Sequence, residues 1–302
     1  MEFGRLRKPR STKQLTLGAC RMKRMTIRSL LLGVLLTLST LPALAQKPPT
    51  AEEAKARLQT AEAMFQERCK KSGEFIHRTA ENVDGILLMK LRPNEINYGD
   101  QYKMDDPYGS DLGGEGYIQS FVRGSFQANT TGTPAPGSPP RLGYFYVDTL
   151  DSKDGKRYRY TGSIKEVTHT ESILMGGDGK TTFKTNDFVL DKIPAPDPAP
   201  RYGVTYVDIS TREERDYWIA GSSLKVIDLK TNEVMAERIG YMMDRGQGNN
   251  SGGRSPWLLA ANNACPSFFR NPNLPPNGHG SAAQSRQAQD FVEKTLKPRL
   301  EK

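Results

Sequence analysis

The chain has 302 residues, three cysteines and a formal net charge of +9, a balance that ordinarily indicates nucleic acid or an anionic membrane as the partner. Residues 1–45, however, hold nine lysines and arginines against one glutamate, so they carry +8 of this charge and leave +1 for the rest. Because binding to a phosphate backbone requires clustered lysine and arginine, a nucleic-acid partner is not expected for the remaining chain.

A secretory signal peptide is predicted near the N-terminus. The apolar run SLLLGVLLTLSTLPALAQ begins at Ser29, follows the basic cluster RMKRMTIR and contains the small-residue pattern Ala43-Leu44-Ala45. Its apolar core of about 13 residues is shorter than the ~20 that a transmembrane helix needs. We expect cleavage after Ala45, export to the periplasm, and no membrane-spanning segment in the mature chain from Gln46. A permanent membrane anchor is the alternative.

The predicted domain organisation follows from this signal peptide. Residues 1–21 match no region of a signal peptide, whereas a complete signal peptide begins at Met22. Translation is therefore expected to start at Met22 or Met25. Cys20 lies in LGAC, which resembles a lipidation box, but no apolar core precedes it. We therefore predict a signal peptide over 1–45, with 1–21 a misassigned start, and a single exported domain over 46–302. The proline-rich spacer 193–201 is a candidate internal boundary.

The first predicted element of the mature chain is an amphipathic helix over 50–71. Thr50 provides an N-cap, Glu53 completes a capping box, and no Gly or Pro occurs before Gly73. Cys69 lies on its apolar stripe. Loss of Cys20 with the leader leaves Cys69 and Cys265, and an even pair in an oxidising compartment is expected to form a disulfide. Two separate buried thiols or a reactive nucleophile are the alternatives.

The middle of the chain is predicted to form strands. Short runs rich in Val, Ile, Tyr and Phe are separated by Gly, Asp, Asn and Pro clusters; the runs are GILLMKL, GYIQSFV, GYFYVDTL, RYGVTYVDI and ERIGYMM. A hairpin turn is predicted at 230–233, and a second amphipathic helix at 282–297. A weak similarity between the segments after Tyr146 and Tyr206 suggests two related β units, with chance as the alternative. The predicted fold class is α+β, mainly antiparallel sheet with an N-terminal and a C-terminal helix.

Three segments poor in core residues are predicted to be surface loops, at 129–141, 193–201 and 245–254. The third, RGQGNNSGGR, has an arginine at each end and a tryptophan three residues beyond. Arginine and aromatic residues dominate binding hot spots, so this loop is the candidate partner contact. Its candidate residues are Arg245, Gln247, Asn249, Arg254 and Trp257. For Trp257 and Trp218, the only tryptophans, core packing is the preferred interpretation, and an exposed anchor for a partner is the alternative.

No catalytic residue, metal site or cofactor is predicted, and the chain is predicted not to be an enzyme. G-x-S-x-G, H-E-x-x-H and C-x-x-C are absent from the sequence, and the three histidines are scattered. Ser222 and Lys225 have the S-x-x-K spacing of penicillin-recognising hydrolases, but they lie in a predicted strand and not at a helix start. Four acids offer oxygen ligands for calcium without EF-hand spacing, a solvated turn being the alternative. They are Asp105, Asp106, Asp111 and Glu115.

One resemblance points to a function. The segment RYGVTYVDISTREERDYWIAGSSLKVIDLKTNEVMAERIGYMMD at 201–244, with CKKSGEFIHRTAENVDGILLMKL before it and SPWLLAANNACP after it, resembles periplasmic immunity proteins that accompany lipase effectors of type VI secretion systems. The resemblance covers most of the mature chain but contains no short signature, so no site residue is transferred. It implies a protein that binds and blocks a co-encoded phospholipase or lipase toxin. A periplasmic hydrolase without a linear motif, or a cell-envelope structural or glycan-binding protein, is the alternative.

Overall fold

A large β-sheet carries the fold in the computed structural model, which describes residues 50–94, 100–109, 112–125, 142–268 and 284–300. Helices pack against this sheet, so the broad α+β class predicted from sequence is confirmed. The predicted signal peptide, the loop 129–141 and Asp111 lie outside the described residues.

The strands run in the order β1-β9-β8-β7-β3-β4-β5-β6, and β10 pairs with β9. The described strands are β1 (Gly73–Ile76), β2 (Ala80–Val83), β3 (Gly85–Leu88), β4 (Tyr146–Leu150), β5 (Arg157–Thr170), β6 (Thr182–Pro194), β7 (Tyr202–Asp208), β8 (Ile219–Asp228), β9 (Glu233–Met243), β10 (Ala264–Cys265) and β11 (Leu296–Pro298). Most pairs are antiparallel, but β3 pairs in parallel with both β4 and β7. The sheet is therefore mixed. Strands β2 and β11 form a separate parallel pair.

Five α-helices occur in the described part of the chain. They are α1 (Ala51–Cys69), α2 (Gly114–Phe121), α3 (Arg212–Asp216), α4 (Pro256–Ala260) and α5 (Gln287–Thr295). Helix α1 begins at a complete capping box. The Thr50 hydroxyl accepts from the Glu53 N–H at 3.2 Å, and the Glu53 carboxylate accepts from the Thr50 N–H at 2.7 Å. These two bonds satisfy backbone donors that the first helical turn leaves without partners.

Two segments differ from their predicted structure. The run GYIQSFV was predicted as a strand but lies mostly in α2, where Tyr117, Ile118 and Phe121 are all buried against the sheet. Positions i, i+1 and i+4 share one face of a helix, so packing overrides the strand propensity of these residues. The C-terminal helix ends at Thr295 and not at 297. The chain then extends as β11, which pairs with β2 beside it.

The helices cover both faces of the sheet. Alternate residues of a strand point to opposite faces. On one face, Ile219 of β8 and Met243 of β9 pack with Phe65 of α1. On the other face, Leu224 and Val226 belong to the large core cluster that also contains residues of α2 and α5. The helices cover strands β5 and β6, which lie at one end of the sheet, least of all.

The suggested internal repeat falls on two antiparallel strand pairs, β4–β5 and β7–β8. Their registers differ. Asp148 lies opposite Arg159, three residues before Gly162, whereas Asp208 lies opposite Ser222, one residue after Gly221. The short sequence similarity therefore does not correspond to one repeated pairing. The spacer 193–201 connects the end of β6 to β7, and both strands belong to the same sheet.

Candidate functional site

The most prominent surface feature is a long hairpin formed by β5 and β6. These strands pair at 13 positions, from Tyr158 opposite Pro194 to Thr170 opposite Thr182. Strand β4, the only other neighbour of β5 in the sheet, pairs with it no further than Tyr160. Ten residues on each strand extend past that point, which corresponds to roughly 33 Å of strand at 3.3 Å per residue. We call residues 161–191 the arm. No residue from 161 to 187 is buried.

The base of the arm is held by buried charge. Asp148 of β4 is fully buried and accepts hydrogen bonds from Arg157 at 2.6 Å and from Arg159 at 2.7 and 3.1 Å. Arg157 also donates to Asp197, beyond the end of β6, at 2.6 Å. This hydrogen bonding raises the pKa of Arg159, although burial acts in the opposite direction. Both strands of the hairpin are thus tied at the point where the arm leaves the sheet.

Cross-strand pairs line the exposed part of the arm. Glu166 pairs with Lys184 at 2.7 Å, and the His169 ring lies 2.6 Å from Asp187. The same ring stacks on Phe183 with centroids 5.5 Å apart. Each exposed pair contributes little to the free energy of unfolding, but opposite-charge and aromatic pairs favour one strand register over its neighbours. The arm is therefore an ordered ribbon.

The tip of the arm is apolar and exposed. A 3₁₀ turn places Ile173, Leu174 and Met175 outward, with 74%, 97% and 90% of their surface accessible. The turn is closed by backbone bonds from Met175 N–H to the Ser172 carbonyl at 3.0 Å and from Gly176 N–H to the Ile173 carbonyl at 3.1 Å. Gly176 has a φ of 85°, a conformation that favours glycine. The three apolar side chains are therefore presented by a hydrogen-bonded turn.

The loop predicted to contact a partner is instead tied to the protein interior. The loop is organised around Asp244. This buried carboxylate accepts hydrogen bonds from Arg254 at 2.9 Å and from the Gly246 and Gly248 N–H groups at 3.0 and 2.8 Å. Gln247 donates to the carbonyl oxygens of Tyr217 and Asp244. The side chains of Arg254 and Gln247 are thus engaged within the fold.

Only part of the predicted contact set faces solvent. Arg245 is 62% exposed and pairs with Glu62 of α1 at 2.5 Å, and Asn249 is also exposed. Trp257 has no accessible surface and stacks near Trp218, with ring centroids 5.0 Å apart. The assignment of Trp257 to a contact surface is therefore wrong, because its ring belongs to the core. The preferred interpretation of core packing is confirmed for this residue.

These contacts predict different roles for the two loop arginines. Arg254→Ala leaves the buried Asp244 carboxylate without its cation and should lower the free energy of unfolding by about 2 kcal/mol. Arg245→Ala breaks only an exposed pair, so it should leave stability unchanged and serves as the matched control. Urea unfolding of both variants checks this. Equal stability of the two variants would mean that Asp244 is satisfied by the loop N–H groups alone.

The described part of the predicted acidic turn contains a buried ion pair. Asp106 is fully buried, and its Oδ2 lies 2.6 Å from Arg92 Nη1 and accepts from the Ser222 hydroxyl at 2.9 Å. Asp105 pairs with Lys90 at 2.8 Å, whereas Glu115 is exposed on α2. Across the described residues no group of three potential metal ligands converges. Asp105 and Asp106 are therefore bound by cations of the fold.

The same network includes the serine of the S-x-x-K match, but not its lysine. Ser222 and Lys225 lie on one strand with opposite parity, so their side chains point to opposite faces of the sheet. Ser222 donates to Asp106, while the Lys225 ammonium lies 3.6 Å from the Glu237 carboxylate. A lysine on the opposite face cannot activate this hydroxyl. The spacing is a coincidental match.

Two buried arginines sit at the centre of this network. Burial disfavours the charged form of Arg92, but the Asp106 carboxylate, together with Tyr117 and Tyr206, outweighs it and raises the pKa. Arg238 of β9 donates to the Gln287 carbonyl at 2.9 Å and lies over the ring of Tyr108. Burial lowers the pKa of Arg238 and raises the pKa of Tyr108 to about 12. The network joins the 3₁₀ turn at Pro107–Gly109 to the sheet.

The arm was not predicted from the sequence, although the sequence contains a signal for it. Two runs rich in β-branched residues, RYRYTGSIKEVTHT and TFKTNDFVLDKIP, flank the turn segment MGGDGK. Such runs on either side of a glycine-rich turn indicate a hairpin. The apolar triplet ILM beside the turn glycines indicates an exposed tip, because turn segments seldom reach a core.

In the part of the chain with described coordinates, none of the helices combines the length and apolar character needed to cross a bilayer. Comparisons of this chain with family models, with curated proteins and with solved structures gave no match.

Proposed function

We propose that the mature chain is a periplasmic immunity protein that binds and neutralises a secreted phospholipase or lipase toxin. The observation that carries this proposal is the arm, a projecting hairpin with three exposed apolar residues at its tip. A large apolar patch on a soluble surface marks a site where another molecule binds. A projecting ribbon with an apolar tip is suited to contact a partner.

The charge and cysteine content agree with this role. The predicted leader directs the chain to the periplasm, where the Cys69–Cys265 disulfide persists. The mature chain is near neutral, so it lacks the excess of lysine and arginine that binding to nucleic acid requires. The resemblance to lipase immunity proteins supplies the partner class, and the arm supplies a surface for it.

The outer part of the arm can be removed without disturbing the sheet. Lys165 lies opposite Asp187, so replacing residues 166–186 by Asn-Gly joins two paired positions through a two-residue hairpin turn. The base contacts of Asp148 with Arg157 and Arg159 remain in place. We expect this arm-trimmed variant to keep the wild-type thermal transition and disulfide. It should lose binding to the lipase encoded beside this chain and lose protection of cells that export that lipase.

Wild-type protein beginning at Gln46 is the reference for this experiment, with Arg245→Ala as the control for the loop. Affinity is measured by calorimetry, and protection by survival of cells producing the lipase in the periplasm. An arm-trimmed variant that binds and protects like wild type would place the contact elsewhere, with Arg245 and Asn249 as the next surface to test. Hydrolysis of esters, amides or glycosides by the purified wild type would instead support the hydrolase alternative.

A further inference from the structure

A buried arginine between the sheet and α5 lacks a counter-charge of its own. Arg238 of β9 is 3% exposed and belongs to none of the ion pairs among the described residues. Its Nη1 donates to the carbonyl oxygen of Gln287, at the start of α5, at 2.9 Å. Its Nε and Nη2 are buried and have no hydrogen-bond partner in the described part of the chain. Because a guanidinium is not deprotonated in proteins, this buried group keeps its positive charge.

The two unpartnered nitrogens of Arg238 form a complete anion-binding edge. In a guanidinium the Nε–H and one Nη2–H point in the same direction, side by side, and this fork binds anions through two parallel hydrogen bonds. A buried donor without a partner is unfavourable, and a buried charge without a partner is more so. Both costs fall on the same edge of Arg238, so an anion at that edge would remove both.

The charged groups that act on Arg238 leave one positive charge in excess. They are Arg92, Asp106 and Glu74. The Asp106 carboxylate pairs with Arg92 at 2.6 Å, so these two charges offset one another. Glu74 lies directly opposite Arg238 across β1 and β9, but its carboxylate pairs with Lys294 of α5 at 2.7 Å. Each carboxylate is thus bound to another cation, and the charge of Arg238 remains.

The remaining neighbours of Arg238 favour a small monovalent anion. The rings of Tyr108 and Phe291 lie 5.3 and 5.8 Å from its Cζ, and their faces attract the cation without neutralising it. A water molecule would accept the two hydrogen bonds but leave the charge. Burying an ion among such rings requires removal of its water, which is most costly for multivalent ions. A halide ion satisfies both the donors and the charge at the lowest cost of this kind.

We propose that the Nε–Nη2 edge of Arg238 binds a chloride ion, which neutralises the buried guanidinium that is hydrogen-bonded to α5. This site does not depend on the proposed immunity role. Because the unfolded chain has no such enclosed edge, chloride binds the folded protein only and stabilises it as its concentration rises.

Crystals of the wild-type protein beginning at Gln46, grown in sodium bromide, test the site directly. Bromide replaces chloride at halide sites, and its anomalous scattering distinguishes it from water. We expect an anomalous peak in hydrogen-bonding contact with Nε and Nη2 of Arg238. A water molecule at this edge without an anomalous peak, or a carboxylate side chain bonded to it, overturns the proposal.

Thermal unfolding at equal ionic strength tests the same site in solution. The wild-type midpoint should be higher by about 3 °C or more in about 200 mM sodium chloride than in the same concentration of sodium gluconate, whose anion is too large for an enclosed edge. Arg238→Met removes the buried charge and should unfold at one temperature in both salts. Arg245→Ala, at an exposed arginine, is the matched control and should keep the wild-type difference.

Two outcomes of the unfolding experiment overturn the proposal. Equal wild-type midpoints in the two salts would mean that a bromide peak at Arg238 reports an adventitious ion only. A chloride effect that persists in Arg238→Met would place the halide elsewhere. The crystal experiment uses the wild type alone, so it decides the matter even if Arg238→Met does not fold.

Discussion

Replacing both Cys69 and Cys265 by serine is expected to lower the free energy of unfolding by about 5 kcal/mol. The disulfide joins residues separated by 196 positions, and closing so long a loop restricts the unfolded chain strongly. Equilibrium unfolding of the protein from Gln46, in guanidinium chloride, measures the change. The wild type under reducing conditions should match the double variant, and reductant should not affect the variant further.

The same bond determines how firmly α1 is attached. Besides the disulfide, α1 is held by Ala61 and Phe65 in a small core cluster, by an ion pair between Arg68 and the buried Glu214, and by exposed contacts such as that of Glu62 with Arg245. Amide hydrogens of α1 should therefore exchange faster in the double variant than those of β8. Wild-type protein denatured without reductant should contain no titratable thiol. Two thiols per mature chain, or an unchanged unfolding free energy, would contradict this account.

Asp106→Asn is expected to lower the free energy of unfolding by about 3 to 5 kcal/mol, because it leaves the buried Arg92 guanidinium without its counter-charge. The side chains of both partners are at most 2% exposed, so water cannot replace the lost interaction. Asparagine suits the backbone here, since residue 106 has a φ of 56°. The loss therefore reports the ion pair and not backbone strain.

A double-mutant cycle isolates this pair. Arg92→Met should cost a similar amount, and Arg92→Met with Asp106→Asn should cost less than the two single changes together by about 2 kcal/mol or more. Glu67→Gln, in an exposed pair with Lys70, serves as the surface control and should leave stability unchanged. Additive losses in the cycle would show that Ser222 and the rings of Tyr117 and Tyr206, over which Arg92 lies, dominate the effect and not the ion pair.

Local patterns in the sequence determined several features of this protein. Thr50 and Glu53 specify the start of α1 because a capping box uses only neighbouring residues. The count of cysteines outside the predicted signal peptide predicted the Cys69–Cys265 bond, which the structure contains. The alternating runs predicted most of the central strands and the broad α+β class. The helix start and the strands depend on patterns within a short window of sequence, and the disulfide depends only on a count of cysteines.

Contacts between distant segments decided the rest. The placement of GYIQSFV in a helix depends on a sheet face that residues far along the chain create. Asp106 was predicted as one of four solvated or calcium-binding acids, but Arg92 and Ser222, from two other segments, make it a buried counter-ion. Trp257 was a candidate interface anchor, but in the fold its ring packs against Trp218. Burial is a property of the whole packing, so a local pattern cannot report it.

The arm shows the same division most clearly. Its strands are recognisable from β-branched residues around a glycine-rich turn, which is local information. That it projects past the sheet is decided by β4, which ends after pairing with only four residues of β5. That its apolar tip stays exposed is decided by the absence of any described segment packed on it. Local patterns indicate the two strands of the hairpin, and the cysteine count indicates the separate Cys69–Cys265 bridge. Only the tertiary structure decided which apolar residues face water, because exposure depends on what the remaining chain covers.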